Sequence, residues 1–273
     1  MTEKDLKKVV KEKYGTIASQ SVLLNRSSCC GTSGCCGEPE FSMIGDEYIQ
    51  IAGHNPDADL GLGCGLPTEF AGIKNGDSVL DLGSGAGNDC FVARSIVGEE
   101  GKVTGLDFTK EMIVKANQNL AKTGFTNIDF LLGDIENIPV PDNTFDVVIS
   151  NCVLNLVPDK EKAFAEIYRV LKPNGHFCIS DVVLAGHLPE EVKQAAEMYA
   201  GCVAGASQKS DYIELIQHTG FLHVDIHKEK IISLPDNLLL KYISSEEFKA
   251  FKEQGTGIFS ITVSAKKMIP VKG

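Results

Sequence analysis

Nine cysteines are spread along the 273 residues, and their surroundings sort them into kinds. Cys29-Cys30 and Cys35-Cys36 are adjacent pairs in "SSCCGTSGCCGEPEF", on a Gly/Ser background. Cys64 stands between two glycines in "LGLGCGLP", Cys152 ends an apolar run in "VVISNCVLNL", and Cys202 sits among small residues in "YAGCVAGA". Thiolates without accompanying imidazole select soft, thiophilic ions. The six histidines show no ligand spacing such as H-x-x-x-H. A zinc clamp usually separates its paired thiols by about two to four residues. The pairs here are adjacent, although the gap from Cys30 to Cys35 keeps four-sulfur zinc binding open. Adjacent thiols on a Gly/Ser loop suit capture of an incoming ion and its transfer by thiol exchange. Cys90 and Cys178 read as structural.

A second chemistry is written in "VLDLGSGAGND" (Val79 to Asp89). An apolar run ends in D-x-G-x-G-x-G, with Asp81 before Gly83, Ser84, Gly85 and Gly87. Glycines there let the backbone turn sharply and approach a ligand closely. Asp107 ends the next apolar run, where a carboxylate can accept from both ribose hydroxyls. Dinucleotide sites prefer G-x-G-x-x-G with pyrophosphate at the helix N-terminus. Here Asp81 would repel pyrophosphate, whereas acidic surroundings favour the sulfonium and ammonium of S-adenosylmethionine. Asp134, in "GDIENIPVPDNTFDVVIS", ends the third run and can meet the adenine amino group.

The elements that position these residues alternate. "DSVLDLGSG", "KVTGLDFT", "IDFLLGD", "FDVVISN" and "HFCISDVV" are short apolar runs, with helical stretches near 88–97, 109–123 and 159–171 between them. Strand alternating with helix predicts a doubly wound α/β sheet. An amphipathic helix is expected near 3–14, and residues 15–76 follow without a long periodic pattern. "LPEEVKQAAEMYAGCV" and "SDYIELIQHTGF" read as helices, the second stopped by Gly220. Strands near 223–232 and 258–266 flank a helix starting near 245. The chain divides into an N-terminal helix with a Cys-rich capturing segment (1–76), a cofactor-binding core (77–186) and a smaller C-terminal α+β region completing the substrate site (187–273).

Net charge is −11, which argues against phosphate-backbone binding, so no nucleic-acid partner is expected. No run approaches the roughly 20 apolar residues that span a bilayer, and no membrane partner is expected. "MTEKDLKKVVKEKYG" lacks the apolar centre of a signal peptide, so a cytoplasmic protein is expected. That compartment disfavours a permanent disulfide framework.

Together, "VLDLGSGAGND", "GLDFTKEMI", "GDIENIPVPDNTFDVVIS" and "EIYRVLKPNGHFCISD" resemble the successive motifs of class I S-adenosylmethionine-dependent methyltransferases, which implies a Rossmann-like sheet. By that resemblance Gly83, Ser84, Gly85, Asp107, Phe108, Asp134 and Ile135 line the cofactor, with Asn151 nearby. Cys64, Cys152 and Cys202 then fall before, inside and after the core, where flanking segments could gather them over one pocket. Three soft thiolates suit trivalent arsenic, which takes three sulfurs in a pyramid and keeps a nucleophilic lone pair. Such a nucleophile needs positioning rather than a general base.

"LGLGCGLP", "LDLGSGAGNDC", "SNCVLNLVPDK", "LPEEV" and "GCVAGA" resemble the arsenite methyltransferases in particular. The resemblance implies that Cys152 and Cys202 are two core arsenic ligands, and that Cys64 is the third ligand and a disulfide partner during turnover. It also implies trivalent arsenic and methylated arsenicals as ligands, and a thiol reductant of glutathione or thioredoxin type. An earlier cysteine shares the redox step; Cys29, Cys30, Cys35 and Cys36 compete for that role. The alternative within enzymes is a methyltransferase for a small organic acceptor such as a quinone, sterol or phenol. A thiol-rich metal binder on a degenerate fold is a third reading, disfavoured by the intact Gly-rich turn, Asp107 and Asp134.

Overall fold

A computed structural model describes residues 3–19, 48, 51–186, 205–232, 240, 244, 246 and 257–268. The two Cys pairs, Cys202 and the helix expected around it lie outside the described residues, as does nearly all of the helix expected from 245.

Short β-rich runs separated by crossover helices build the sheet. The strands are β1 (Ser78–Leu82), β2 (Lys102–Asp107), β3 (Ile128–Leu132), β4 (Phe145–Asn151), β5 (Leu171–Ala185), β6 (Ser207–Gln208), β7 (Leu222–Ile232) and β8 (Gly257–Lys266). Among the described residues they form one sheet in the order β3-β2-β1-β4-β5-β8-β7, with the short β6 also pairing with β5. β1 to β5 run parallel; β8 is antiparallel to β5 and β7. Strands β7 and β8 of the C-terminal region thus extend the sheet of the core.

The helices are α1 (Glu3–Ser19), α2 (Pro67–Phe70), α3 (Asn88–Val97), α4 (Lys110–Leu120), α5 (Lys160–Val170) and α6 (Lys209–His218). Successive strand residues point to opposite faces, so each face carries its own core. Leu80, Leu82, Phe164, Phe177 and Tyr212 pack in one cluster; Val79, Cys90, Phe91, Val147 and Cys178 pack in the other. Among the described residues no helix is long and apolar enough to cross a membrane.

The strand order reverses between β1 and β4, and ligands of open α/β sheets bind outside the carboxyl ends of the strands at such a point. Gly83 follows β1, and Asn151 ends β4 immediately before Cys152.

Candidate active site

A cleft opens at that switch point, with about 1130 Å³ of empty space including the part open to solvent. It is lined by the Gly-rich turn, by Asp107, Phe108, Asp134 and Ile135, by Asn151 and Cys152, and on its outer side by α1. The predicted cofactor residues Asp81, Gly83, Ser84, Gly85, Asp107, Phe108, Asp134, Ile135 and Asn151 therefore all border one cavity.

Backbone amides orient its carboxylates. Gly83 and Gly85 turn the chain at positive φ (70° and 52°), and the Gly85 amide donates to Asp107 Oδ2 at 3.0 Å. The Thr109 amide donates to Asp107 Oδ1 at 2.8 Å. Burial raises the Asp107 carboxyl, and these amides oppose the rise. Ser84 also lines the cleft, with its Oγ buried against Gly105 of β2 and without a hydrogen-bond partner.

One end of the cleft is acidic. Asp81 and Asp89 are both buried, and Cys90 Sγ donates to Asp81 Oδ2 at 3.2 Å. Burial, then the charge of Asp89, raises the Asp81 carboxyl well above its usual range. Burial pushes Asp89 up to about 6, opposed by hydrogen bonds from Tyr48 and Asn151. Two buried carboxylates at one end of the cleft fit the sulfonium and ammonium of S-adenosylmethionine.

Asp134 carries a contact that sequence reasoning missed. Lys7 Nζ, on α1, binds Asp134 Oδ2 and Glu136 Oε2, each at 2.7 Å. Val10 and Tyr14, about one and two turns further along α1, also face the cleft. The N-terminal helix thereby covers the end where Asp134 was expected to read adenine. Its lysine-rich amphipathic pattern gave the helix; nothing local signalled a partner 127 residues away.

The cysteines divide sharply. Cys90 and Cys178 are buried in the core; burial pushes the Cys178 thiol up to about 12, and burial with Asp81 raises Cys90 well above its usual range. Both are therefore held as unreactive thiols. Cys64 and Cys152 come from segments far apart in sequence, and both segments lie against Ser180 of β5. Cys152 borders the cleft in a left-handed conformation (φ 59°), uncommon for a residue with a side chain, and its amide donates to Ser180 O at 2.7 Å. The Cys64 amide donates to Asn151 Oδ1 at 3.0 Å, and its carbonyl accepts from Ser260 Oγ.

The glycines flanking Cys64 make this approach possible. A Cβ on Gly63 would lie 2.7 Å from Asn151 Nδ2, and one on Gly65 would lie 2.5 Å from Ser180 Oγ. Asn151 Nδ2 reaches Tyr48 Oη at 2.6 Å, Gly65 O at 2.8 Å and Asp89 Oδ2 at 3.2 Å, while Tyr48 Oη donates to Asp89 Oδ1 at 2.8 Å. One amide thus joins the acidic wall of the cleft to the loop that carries Cys64. Tyr48 lies in a stretch without periodicity and gave no sequence signal. Asp89 was also missed, although an acid two residues past Gly87 in the first helical turn was a local signal that could have found it.

Beneath the two thiols, Tyr212 Oη on α6 donates to the buried Asp181 Oδ2 at 3.0 Å. Burial pushes Asp181 up to about 7. Burial raises the Tyr212 hydroxyl, with Asp181 and the nearby Cys64 and Cys152 adding to the rise. Among the described residues no three His, Cys, Asp or Glu side chains form a metal-holding group; Cys202, the expected third sulfur, lies outside them.

Fold and cleft define a class I S-adenosylmethionine-dependent methyltransferase, and the model of a methyltransferase domain family matches residues 73–220. An arsenite methyltransferase of Halobacterium salinarum is 40% identical over 96% of this chain and 67% of its own. The human arsenite methyltransferase is 32% identical over 94% of this chain and 70% of its own. The crystal structure of an arsenic(III) S-adenosylmethionine methyltransferase from Chlamydomonas reinhardtii matches with a TM-score of 0.66 at 35% identity, covering 76% of this chain and 68% of that one. The first two matches run well beyond the cofactor core, into the segments that hold the outlying cysteines. The chain belongs to the arsenite methyltransferase family.

Proposed function

We propose that the protein moves a methyl group from S-adenosylmethionine to trivalent arsenic held by the thiolates of Cys64, Cys152 and Cys202. The observation that carries this is the convergence of Cys64 and Cys152. The residue preceding Cys152 takes the Cys64 amide at 3.0 Å, and Cys152 itself borders the cofactor cleft in a strained backbone.

The bound cofactor supplies an electrophilic methyl on a sulfonium. Asp81 and Asp89 hold the cationic end, Asp107 the ribose, and Lys7 with α1 the outer wall. The thiolates fix arsenic with its lone pair toward the cleft. That lone pair forms the bond to carbon as the carbon–sulfur bond breaks toward sulfur, and no proton has to leave the nucleophile. Alignment of such a pair is worth roughly 7–11 kcal/mol over a bimolecular encounter.

Transfer takes arsenic formally from the trivalent to the pentavalent state. Two thiolates return two electrons by closing a disulfide, for which Cys64 with Cys35 or Cys36 is the proposed pair. A small thiol or thioredoxin-type reductant then reopens it. In this reading residues 1–76 capture the arsenical, 77–186 bind the cofactor and 187–273 complete the arsenic site. The reaction is placed in the reducing cytoplasm.

Calorimetric titration with arsenite tests the ligand set. Binding should weaken at least tenfold in Cys64→Ser and Cys152→Ser while S-adenosylhomocysteine still binds. Undiminished arsenite affinity in both variants would refute the assignment.

A further inference from the structure

Hydrogen accounting around Asn151 leaves one acceptor short. The Asn151 amide offers two hydrogens and the Tyr48 hydroxyl one. Facing these three are the Gly65 carbonyl, the Tyr48 oxygen and both oxygens of Asp89. The shortest arrangement gives the Asn151 hydrogens to Tyr48 (2.6 Å) and Gly65 (2.8 Å), and the Tyr48 hydrogen to Asp89 Oδ1 (2.8 Å). Asp89 Oδ2 keeps only the 3.2 Å contact to Asn151, which competes for a hydrogen already in use. A second competition runs from Tyr48 Oη to Gly65 O at 3.3 Å. Asp89 borders the cofactor cleft, and Gly65 is covalently next to Cys64.

We infer that Tyr48 and Asn151 are positioning residues through which cofactor occupancy sets the arsenical affinity of Cys64. This rests on the reading that Cys64 is an arsenic ligand. A cationic group of the cofactor beside Asp89 satisfies Oδ2 and removes its claim on the Asn151 amide. The two amide hydrogens then belong wholly to Gly65 and Tyr48, and the loop on both sides of Cys64 is fixed: its amide by Asn151 Oδ1, the next carbonyl by Asn151 Nδ2. Fixing the loop beforehand removes part of the ordering cost of placing sulfur on arsenic. Coupling between two ligands is reciprocal, so arsenic bound at Cys64 tightens the cofactor by the same factor. Tyr48 is thereby tied to both substrates.

The test is a cycle of arsenite dissociation constants by calorimetry, with and without saturating S-adenosylhomocysteine, which carries the ammonium but no transferable methyl. In the wild-type chain the product should tighten arsenite by about fivefold, at the lower end of ordinary coupling factors. Tyr48→Phe removes the competing hydroxyl, leaving two hydrogens for Gly65 O and Asp89 Oδ2; the ratio should fall to about one while both ligands still bind. Asp89→Asn, nearly isosteric, weakens the cofactor as well; read at S-adenosylhomocysteine concentrations shown to saturate that variant, its ratio should also fall to about one, and it serves if the phenylalanine variant does not fold. No coupling in the wild type, or equal coupling in wild type and variant, overturns the inference. Arsenite binding indifferent to Cys64→Ser would instead overturn the ligand assignment beneath it.

Discussion

Cys64 and Asn151 are joined by a 3.0 Å hydrogen bond from backbone amide to side-chain carbonyl, across 87 positions of sequence. Because Asn151 ends β4 and Cys152 follows it, that bond relates the two thiol-bearing segments directly. The bond depends on the absence of side chains at Gly63 and Gly65. Gly65→Ala should push the loop away from Ser180 and lower kcat/KM for arsenite on the order of 100-fold, the scale expected for a displacement of about 1 Å. Cofactor binding should change little. Steady-state kinetics with each substrate varied in turn checks this; equal loss for both substrates would place the damage in the fold rather than in the loop.

Lys7 latches α1 through Asp134 and Glu136. Both bonds are partly exposed, so their combined worth is modest. Lys7→Ala should speed release of S-adenosylhomocysteine by about two- to fivefold, the effect of an ion pair worth up to about 1 kcal/mol. Raised salt should speed release from the wild type more than from the variant. Stopped-flow dissociation reads both.

Asp89 is held near 6 by burial, beside Asp81, which is raised further, and near Asp59. A protonated carboxyl cannot balance the cofactor's positive charge. The kcat/KM for S-adenosylmethionine should therefore rise with pH through about 6 and keep rising above it as Asp81 loses its proton, reporting the free enzyme. Asp89→Asn should lower kcat/KM and remove the limb near 6. An unchanged limb in the variant would assign it to another group.

Much of this was legible in the residues. The apolar runs gave β1 to β5, α3 was read at its observed bounds, and the acidic Gly-rich motif led to the cleft. Helix α1 was expected to stop near residue 14, with Tyr14 the last position of its apolar pattern; it continues to Ser19, with the Thr16 and Ser19 hydroxyls bonding back to Glu12 O and Gly15 O. Tyr48, Lys7 and the Asp181–Tyr212 pair were not legible. Each acts through a long-range contact, and a single sequence records periodicity and local turns but not such partners. Asp181 hid inside an apolar run, as buried strand residues do.

Asp181 makes a stability prediction of unusual sign. Its carboxyl lies near 7 in the folded chain against 3.8 ordinarily, so the folded state keeps a proton that the unfolded state releases. That contribution is whole below about pH 4 and is lost as pH rises through 7. Lys160 is the nearby opposite charge, itself lowered by burial. The stability of Asp181→Asn relative to wild type should improve on the order of 2 kcal/mol from pH 5 to pH 8. Urea unfolding at the two pH values measures it, and a pH-independent difference would contradict the buried, protonated carboxyl.

The most direct test is arsenic speciation after incubating the protein with arsenite, methyl-labelled S-adenosylmethionine and a thiol reductant. The label should appear in methylated arsenicals with the wild type. With Cys152→Ser no methylated arsenical should form, although S-adenosylhomocysteine still binds within about threefold. Methylated arsenic at the wild-type rate from Cys152→Ser, or no labelled arsenic from the wild type, would contradict methyl transfer to thiolate-held arsenic.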